Sequence, residues 1–543
     1  MMLMFLFAAA VLVVVGRLGM LAIFSGPADA AARIAAIAGR GDIVDRNGAP
    51  LARTIDAWTI AVHPKKLIGD RMAVAAKLAA LMPDRGDQAY FYGVLTSKAN
   101  FAYLQQRASP ALVEQVNAIG EPGIVFERET QRLYPQSSLA AHVLGFISGG
   151  RGMSGIERAL NDRLTNPALT GQPVALSIDS RVQAAMESEL GRAMGTFSAR
   201  GGGGIVLDVR TGEVIAMVSL PTFNPNRVGM SGADQLRNIT TQSVFELGST
   251  FKPITMATAM DYGVVTSMEQ RFDATHPLQI GRYTIHDERG DPKRWLNMAE
   301  TLIYSSNIAT ARVADEVGPQ RMQAMFRKLG FDSRPDIELR EKGRPLWPTF
   351  WARTTTMTTA YGHGIAITPL HLASAYAALV NGGTWRPATL LKVQPGHAPA
   401  GRRVVSEQTS ARMRQMLRLI VMRGTGRKGD APGYRVGGKT GTAEAAVAGG
   451  YDRSRNVATF AAAFPMDAPR YVVLAMLDSP LGTKETSGWK TAAWNAAPVV
   501  GRTIARTGAM LGVVPDEHRD VDVSDIMPTL WDDPSRRPPT VGQ

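Results

Sequence analysis

A chain of 543 residues is too long for one ordinary domain and implies two or three, each able to bury its own core. It is 45% hydrophobic and 20% charged, and its formal net charge of +13 suits an anionic neighbourhood such as a phospholipid surface, an acidic cell-wall polymer or nucleic acid. With no cysteine, it excludes disulfides, cysteine nucleophiles and thiolate metal sites.

The charge has no nucleic-acid motif behind it. No long Lys/Arg run is interleaved with aromatics and no zinc-finger spacing occurs, so no nucleic-acid partner is expected. The eight histidines include no pair at metal-ligand spacing, and His363, in "YGHGIAITP", reads as a packing or solvated residue of a loop. Neither a metal nor a cofactor is expected.

In chain order, Met1–Phe24 is apolar apart from Gly16, Arg17 and Gly19, and roughly 20 apolar residues span a bilayer as a helix. A cleaved signal peptide is the rival, since Ala28-Asp29-Ala30 has the form of a cleavage site, but the basic leader is missing. The preferred reading is a retained single transmembrane anchor over residues 1–25. "GRGDIVDRNGAPLART" follows, strand-like and then broken by an Asn47-Gly48 turn. Residues 33–170 read as a separate, irregular α+β pedestal, with a helix over Met72–Met82 and a Gly-rich stretch from Gly149 to Leu164.

An amphipathic helix is predicted from Ser180 to Met194. Two strands, Gly204–Val209 and Glu213–Ser219, flank a tight Arg210-Thr211-Gly212 turn. Helix-rich sequence runs from Ser249 to about Arg423, and strands return in "YRVGGKTGTAEA", "NVATFAAAFP" and "YVVLAMLDSP". This order predicts an α+β domain over 200–512: one antiparallel sheet drawing strands from both ends and flanked by helices. The Pro- and Asp-rich residues 516–543 read as a disordered tail.

Three short elements carry chemistry. In "ELGSTFKP", Ser249 and Lys252 lie three residues apart at a helix start, where side chains share a face and free N–H groups point outward. A buried Lys whose pKa is lowered can take the Ser proton. Alone this is no more than a capped helix, and Ser487-Gly488-Trp489-Lys490 repeats the spacing. In "IYSSNIATARVA", Ser305 and Asn307 open a helix; the bland reading is a cap, the sharp one a proton relay and a side-chain donor, and Ser454-Arg455-Asn456 is a decoy. Third, Lys439-Thr440-Gly441-Thr442 follows Gly437-Gly438 on an expected edge strand. Glycines let a ligand backbone lie along such a strand. There Lys439 and the hydroxyls of Thr440 and Thr442 would bind a carboxylate, and the Thr442 N–H would join that of Ser249 in an oxyanion hole.

Ser-x-x-Lys, Ser-Asp-Asn and Lys-Thr-Gly form the joint signature of β-lactamases and penicillin-binding proteins, and their counterparts occur here in that order. The resemblance extends over nearly the whole chain to class B penicillin-binding proteins, through "RGDIVDRNG", "LYPQSSLAAHVLGFI", "GIERALN", "ELGSTFKP", "SSNIATARVA", "GHGIAITPLHLASAYAALVNGG" and "GGKTGTAE". It implies a serine β-lactamase-like transpeptidase domain and a D,D-transpeptidase activity. Ser249 would attack the penultimate D-Ala carbonyl of a stem pentapeptide, on lipid-linked or nascent glycan, release D-Ala and pass the acyl group to a neighbouring amine. β-Lactams would be covalent inhibitors.

"WLNMAETLIYSSNIATARVA" and "ELGSTFK" resemble the division type, FtsI, more than the elongation type, whose serine more often follows Pro-Pro-Gly. That implies septal synthesis beside an FtsW-type polymerase of the SEDS family and other divisome proteins. It further implies a single-pass protein of the bacterial inner membrane with its catalytic domain in the periplasm. A β-lactamase or β-lactam sensor is the rival. Glu157-Arg158-Ala159-Leu160-Asn161 imitates a deacylating loop but precedes Ser249, and no glycosyltransferase motifs precede the transpeptidase region. One departure from Ser-Asp-Asn, at a position where class B members commonly vary, is that the middle residue is Ser306, not Asp.

Overall fold

A computed structural model describes residues 39–288, 290–447 and 450–531. Among the described residues no helix is long and apolar enough to cross a membrane, and the predicted anchor lies outside them. The chain forms two compact units. Of the described residues, the first holds 39–43, Pro50–Pro135 and Leu160–Val174; the second holds Val44–Ala49, Gln136–Ala159 and those from Ala175 to Trp531.

In the first unit, strand β1 (Pro50–Val62) pairs antiparallel with both β2 (Ala102–Ala108) and β3 (Ile124–Leu133). Helices α1 (Arg71–Leu81), α2 (Gln88–Leu95) and α3 (Pro110–Asn117) start at Asp70, Asp87 and Ser109, whose side chains accept amides of the first turn. Their apolar faces close over Ile60, Val62, Leu78, Phe91 and Leu104.

The second unit is built on a five-stranded antiparallel sheet. Its strands are β4 (Gly201–Asp208), β5 (Val214–Leu220), β6 (Gly437–Val447), β7 (Gly450–Phe464) and β8 (Tyr471–Asp478), in the order β6-β7-β8-β4-β5. Strand β8 is buried nearly end to end, so it reads as a continuous apolar run without alternation. Helices α4 (Ser180–Thr196) and α11 (Ala496–Thr507) share one core cluster with the sheet. The glycines opening β4 admit α4 closely: a Cβ on Gly204 would lie 2.7 Å from Met186 Cε. Full burial of Val182, Met186 and Leu190 on that helix contributes roughly 1.5–3 kcal/mol each.

Further helices include α5 (Lys252–Asp261), α6 (Met298–Tyr304), α7 (Asn307–Val317), α8 (Pro319–Lys328), α9 (Pro369–Val380) and α10 (Glu407–Arg423). Helix α5 is buried on every side from Lys252 to Ala259, the mark of a central helix.

One expectation is refined and one corrected. The stretch Gln136–Ala159, assigned above to the pedestal, packs with the second unit. There the Ala140 amide donates to Glu187 Oε1 at 2.9 Å, His142 Nε2 lies 2.7 Å from the Gln235 carbonyl, and Arg158 pairs with Glu341 at 3.3 Å. Val44–Ala49 joins it, Asp45 accepting the Ser180 hydroxyl at 2.8 Å. Continuity along the chain did not reveal partners 47 to 183 residues away.

Nor is the tail disordered over residues 516–531. Ile526 and Leu530 are buried, Asp520 and Asp525 pair with Arg418 and Arg412 of α10, and Trp531 Nε1 donates to the Trp295 carbonyl at 2.7 Å. Its composition looks solvent-loving because its acidic residues are matched by arginines over a hundred positions upstream. Residues 532–543 lie outside the described chain.

Candidate active site

Gly248–Phe251 form one 3₁₀ turn that runs straight into α5, with Pro253 in the first turn of the helix. Side chains three apart eclipse in a 3₁₀ turn, so Ser249 and Lys252 project from one side. Ser249 is partly exposed, whereas Lys252 is fully buried. From the core side, Tyr376 of α9 donates its hydroxyl to the Thr250 carbonyl at 2.9 Å and anchors the turn.

Ser305 sits at the junction of two helices. Its N–H closes α6 onto Thr301 and its φ is 63°, a left-handed conformation a non-glycine residue keeps only when its surroundings impose it. Lys252 Nζ donates to the Ser305 carbonyl, and to Ser305 Oγ at 3.1 Å. Lys439, on edge strand β6 and also fully buried, donates to the same Oγ at 2.9 Å and to the Thr440 carbonyl at 2.9 Å.

Two ammonium groups on one hydroxyl repel each other and have lost their water. Burial pushes Lys252 down to about 7, against the opposing charges of Asp287, Asp291 and Glu288. Burial, reinforced by the Lys252 charge, holds Lys439 well below the usual lysine range. Near neutral pH a lysine amine with a free lone pair is therefore available beside Ser305, which is what a general base requires.

Strand β6 meets the serine turn backbone to backbone. A Cβ on Gly441 would lie 2.3 Å from the Leu247 carbonyl oxygen, and one on Gly248, whose φ is 55°, would lie 2.9 Å from the Thr442 carbonyl oxygen. Only glycine fits at either place. The Thr440 and Thr425 hydroxyls bond at 2.7 Å. Thr442 Oγ1 accepts the Ala492 amide at 3.1 Å, which leaves its own proton free to donate.

The structure thus gathers Lys252, Ser305 and Lys439 around one oxygen and seats Thr440–Thr442 along the serine turn. Asn307, read as a side-chain donor to substrate or to the lysine, has its Nδ2 donating to the His286 carbonyl at 3.0 Å. Sequence reasoning passed over three contributors. Neither Tyr376 nor Asp287, within the charged run "HDERGDPKRW", was singled out. Glu246 served only as a type marker, yet it accepts from the Tyr451 hydroxyl and the Gly364 amide, each at 3.1 Å, with His363 Nδ1 3.4 Å away.

A serine turn at the head of a buried helix, against an edge strand that carries a second buried lysine, is the arrangement of acyl-serine enzymes. Residues 202–499 match the penicillin binding protein transpeptidase domain, and residues 35–172 the penicillin-binding protein dimerisation domain. The chain belongs to the penicillin-binding protein transpeptidase family, in the class B arrangement of dimerisation domain followed by transpeptidase. It is 42% identical over 489 residues to a probable peptidoglycan D,D-transpeptidase FtsI of Caulobacter vibrioides, covering 87% of this chain and 82% of that relative. It is 31% identical over 472 residues to a probable peptidoglycan D,D-transpeptidase PenA of Neisseria meningitidis, covering 81% and 80%. Penicillin-binding protein 3 of Mycobacterium tuberculosis complexed with aztreonam superposes with a TM-score of 0.69 at 28% identity, covering 88% of this chain and 97% of that one. The activity is that of a serine-type peptidoglycan D,D-transpeptidase, a family that β-lactam binding fits.

Proposed function

We propose that Ser249 is the acylated nucleophile of a septal transpeptidase and that Lys252, Ser305 and Lys439 form its proton-handling group. The observation that carries this reading is the convergence of two buried lysines on Ser305 Oγ, at 3.1 and 2.9 Å, beside the serine turn. Neutral Lys252 takes the Ser249 proton as Oγ bonds to the penultimate D-Ala carbonyl carbon. The developing oxyanion is held by the N–H groups of Ser249 and Thr442. The proton returns through Ser305 to the nitrogen of the leaving D-Ala as the peptide bond breaks. Lys439, with the hydroxyls of Thr440 and Thr442, holds the terminal carboxylate, and Gly441 lets the substrate backbone lie along β6. Asn307 orients the donor stem from the far side of the cleft. A second stem's amine then attacks the acyl carbon, loses its proton to Lys252 and frees Ser249.

Relatives named FtsI and the Glu246-Leu247-Gly248 approach to the serine support the septal role. In this reading residues 1–25 anchor the chain in the inner membrane, the transpeptidase faces the periplasm, and an FtsW-type SEDS polymerase supplies the glycan. The central test is covalent labelling by a fluorescent penicillin, resolved on a denaturing gel. Wild type labels and Ser249→Ala does not; an unlabelled wild type or a labelled Ser249→Ala overturns the assignment. Fluorescently tagged chain gathers at mid-cell, and an even distribution along the lateral wall overturns the septal role.

A further inference from the structure

The turn that presents Ser305 departs from the Ser-Asp-Asn pattern by having Ser306 in the middle, so the turn contains no carboxylate of its own. The structure supplies one from elsewhere. Asp287, about twenty residues upstream and partly buried, reaches in from the loop before α6. Its Oδ1 accepts the Asn307 amide at 2.6 Å and the Ile308 amide at 2.9 Å, and its Oδ2 accepts the Ser306 hydroxyl at 2.7 Å. Ser306 Oγ, fully buried, accepts in turn from the Ala309 amide at 3.0 Å. Three successive amides opening α7 are thus satisfied by two side chains, one of them foreign to the helix.

We infer that Asp287 is a positioning residue for acylation: its carboxylate clamps the Ser305–Asn307 turn from outside and places a fixed negative charge beside the lysine pair.

The geometry gives the clamp two consequences. Ser305 must hold φ at 63°, and its position is pinned from one side by the end of α6 and from the other by Asp287 through Ser306 and Asn307. Released, the turn relaxes toward ordinary backbone and carries Ser305 Oγ away from both amines. The second consequence is electrostatic. Lys252 is faced by Asp287, Asp291 and Glu288 from the loop and by Lys439 from β6, and Asp287 is the strongest of the carboxylates that favour its protonated form. Asp287 therefore sets both where Ser305 stands and at what pH Lys252 becomes a base. A mere helix cap would do neither.

This role rests on the reading that Ser249, Lys252 and Ser305 form the acylating site. The test uses full-length chain in detergent and follows fluorescent-penicillin acylation across pH, with thermal unfolding alongside. Asp287→Asn keeps the three hydrogen bonds, its Oδ1 accepting both amides and its Nδ2 donating to Ser306, but removes the charge. It is expected to stay within about tenfold of the wild-type rate, with the acid limb of its pH profile moved to lower pH. Asp287→Ala removes clamp and charge, and its acylation should fall roughly ten- to hundredfold, as expected for losing hydrogen bonds to a charged group. An unlabelled wild type overturns the reading of the site and this role with it. Labelled wild type with Asp287→Ala acylating within about threefold of it overturns the role alone. So does an Asp287→Asn profile superimposable on wild type, and this variant keeps the test open if Asp287→Ala fails to fold.

Discussion

Gly441 stands so close to Leu247 that a Cβ at position 441 would meet the Leu247 carbonyl oxygen at 2.3 Å. The obstacle is backbone on both sides, so neither partner can move aside without shifting β6 or the serine turn. Gly441→Ala is expected to cost about 1–3 kcal/mol of stability, as overpacking does. Its larger effect is to spread the strand from Ser249, lowering penicillin acylation by at least about tenfold through misplacement of the oxyanion donors. Gly229→Ala, where an added Cβ has open space, is the control and should change neither. Stopped-flow acylation with both variants checks this, and a Gly441→Ala enzyme of wild-type rate contradicts the contact.

In its proposed role as base, Lys252 makes acylation pH-dependent in a defined direction. The amine acts as base only when neutral, and burial brings its pKa to about 7, so the rate rises with pH through that value and then levels. Lys252→Arg keeps a cation but cannot be deprotonated, and it abolishes acylation. Stability follows the same group. Between about 7 and the model-peptide value of 10.5 the unfolded chain binds a proton that the folded chain does not, so this lysine makes stability rise with pH there. Lys252→Met removes that slope in denaturant titrations at several pH values; an unchanged slope refutes the assignment.

Trp531 tests the ordered tail. It lies 4.6 Å from the Arg271 guanidinium and 5.5 Å from that of Arg294, and its N–H groups donate to Glu300 and to the Trp295 carbonyl. Glu300 in turn completes the capping box of α6 with Asn297, and Asn297 also donates to Thr529 at 3.0 Å. Truncation after residue 515 should therefore destabilise the transpeptidase unit by about 2–4 kcal/mol, since it exposes the apolar surface under Ile526 and Leu530 and strips partners from a buried cap. Differential scanning calorimetry reads the loss. A truncated chain with unchanged Tm would mean that residues 516–531 merely lie on the surface.

Glu189 couples α4 to α11. Its carboxylate, 2% exposed, accepts from Arg502 at 2.7 Å, from Arg506 at 2.8 Å and from Arg192. Burial pushes this carboxyl up, but the hydrogen bonds from Arg502 and Arg506 outweigh it and hold it below the usual value of 4.5. Its contribution is therefore fully present above that value and is lost as pH falls through the lower folded value. Because the arginines are about half exposed and rehydrate, Glu189→Gln should cost only about 1–3 kcal/mol at neutral pH. It should also flatten acid unfolding relative to wild type, and parallel acid limbs would refute the pairing.

Local signals were enough for the elements nearest the chemistry. The amphipathic period over Ser180–Met194, the Arg210-Thr211-Gly212 turn and the three late strands each carry their structure in a short window, because periodicity and turn chemistry act over few residues. The order of Ser249-x-x-Lys252, Ser305-x-Asn307 and Lys439-Thr440-Gly441 singled out the site against decoys of equal spacing. Asp287 and Tyr376 carried no such signal. A loop aspartate and a helix tyrosine look alike wherever they occur, and their value lies in what the fold brings to them.

The sequence alone therefore determined which residue types are present for acyl transfer and in what order they arrive. That order is a chemical requirement written in one dimension. The tertiary structure decided the rest: that two lysines 187 positions apart share Ser305 Oγ, that β6 touches the serine turn, that Gln136–Ala159 joins the second unit, and that a tail rich in Asp is ordered by arginines of α10. These are relations between distant segments. Burial and charge pairing settle them, and both depend on neighbours that exist only once the chain has folded.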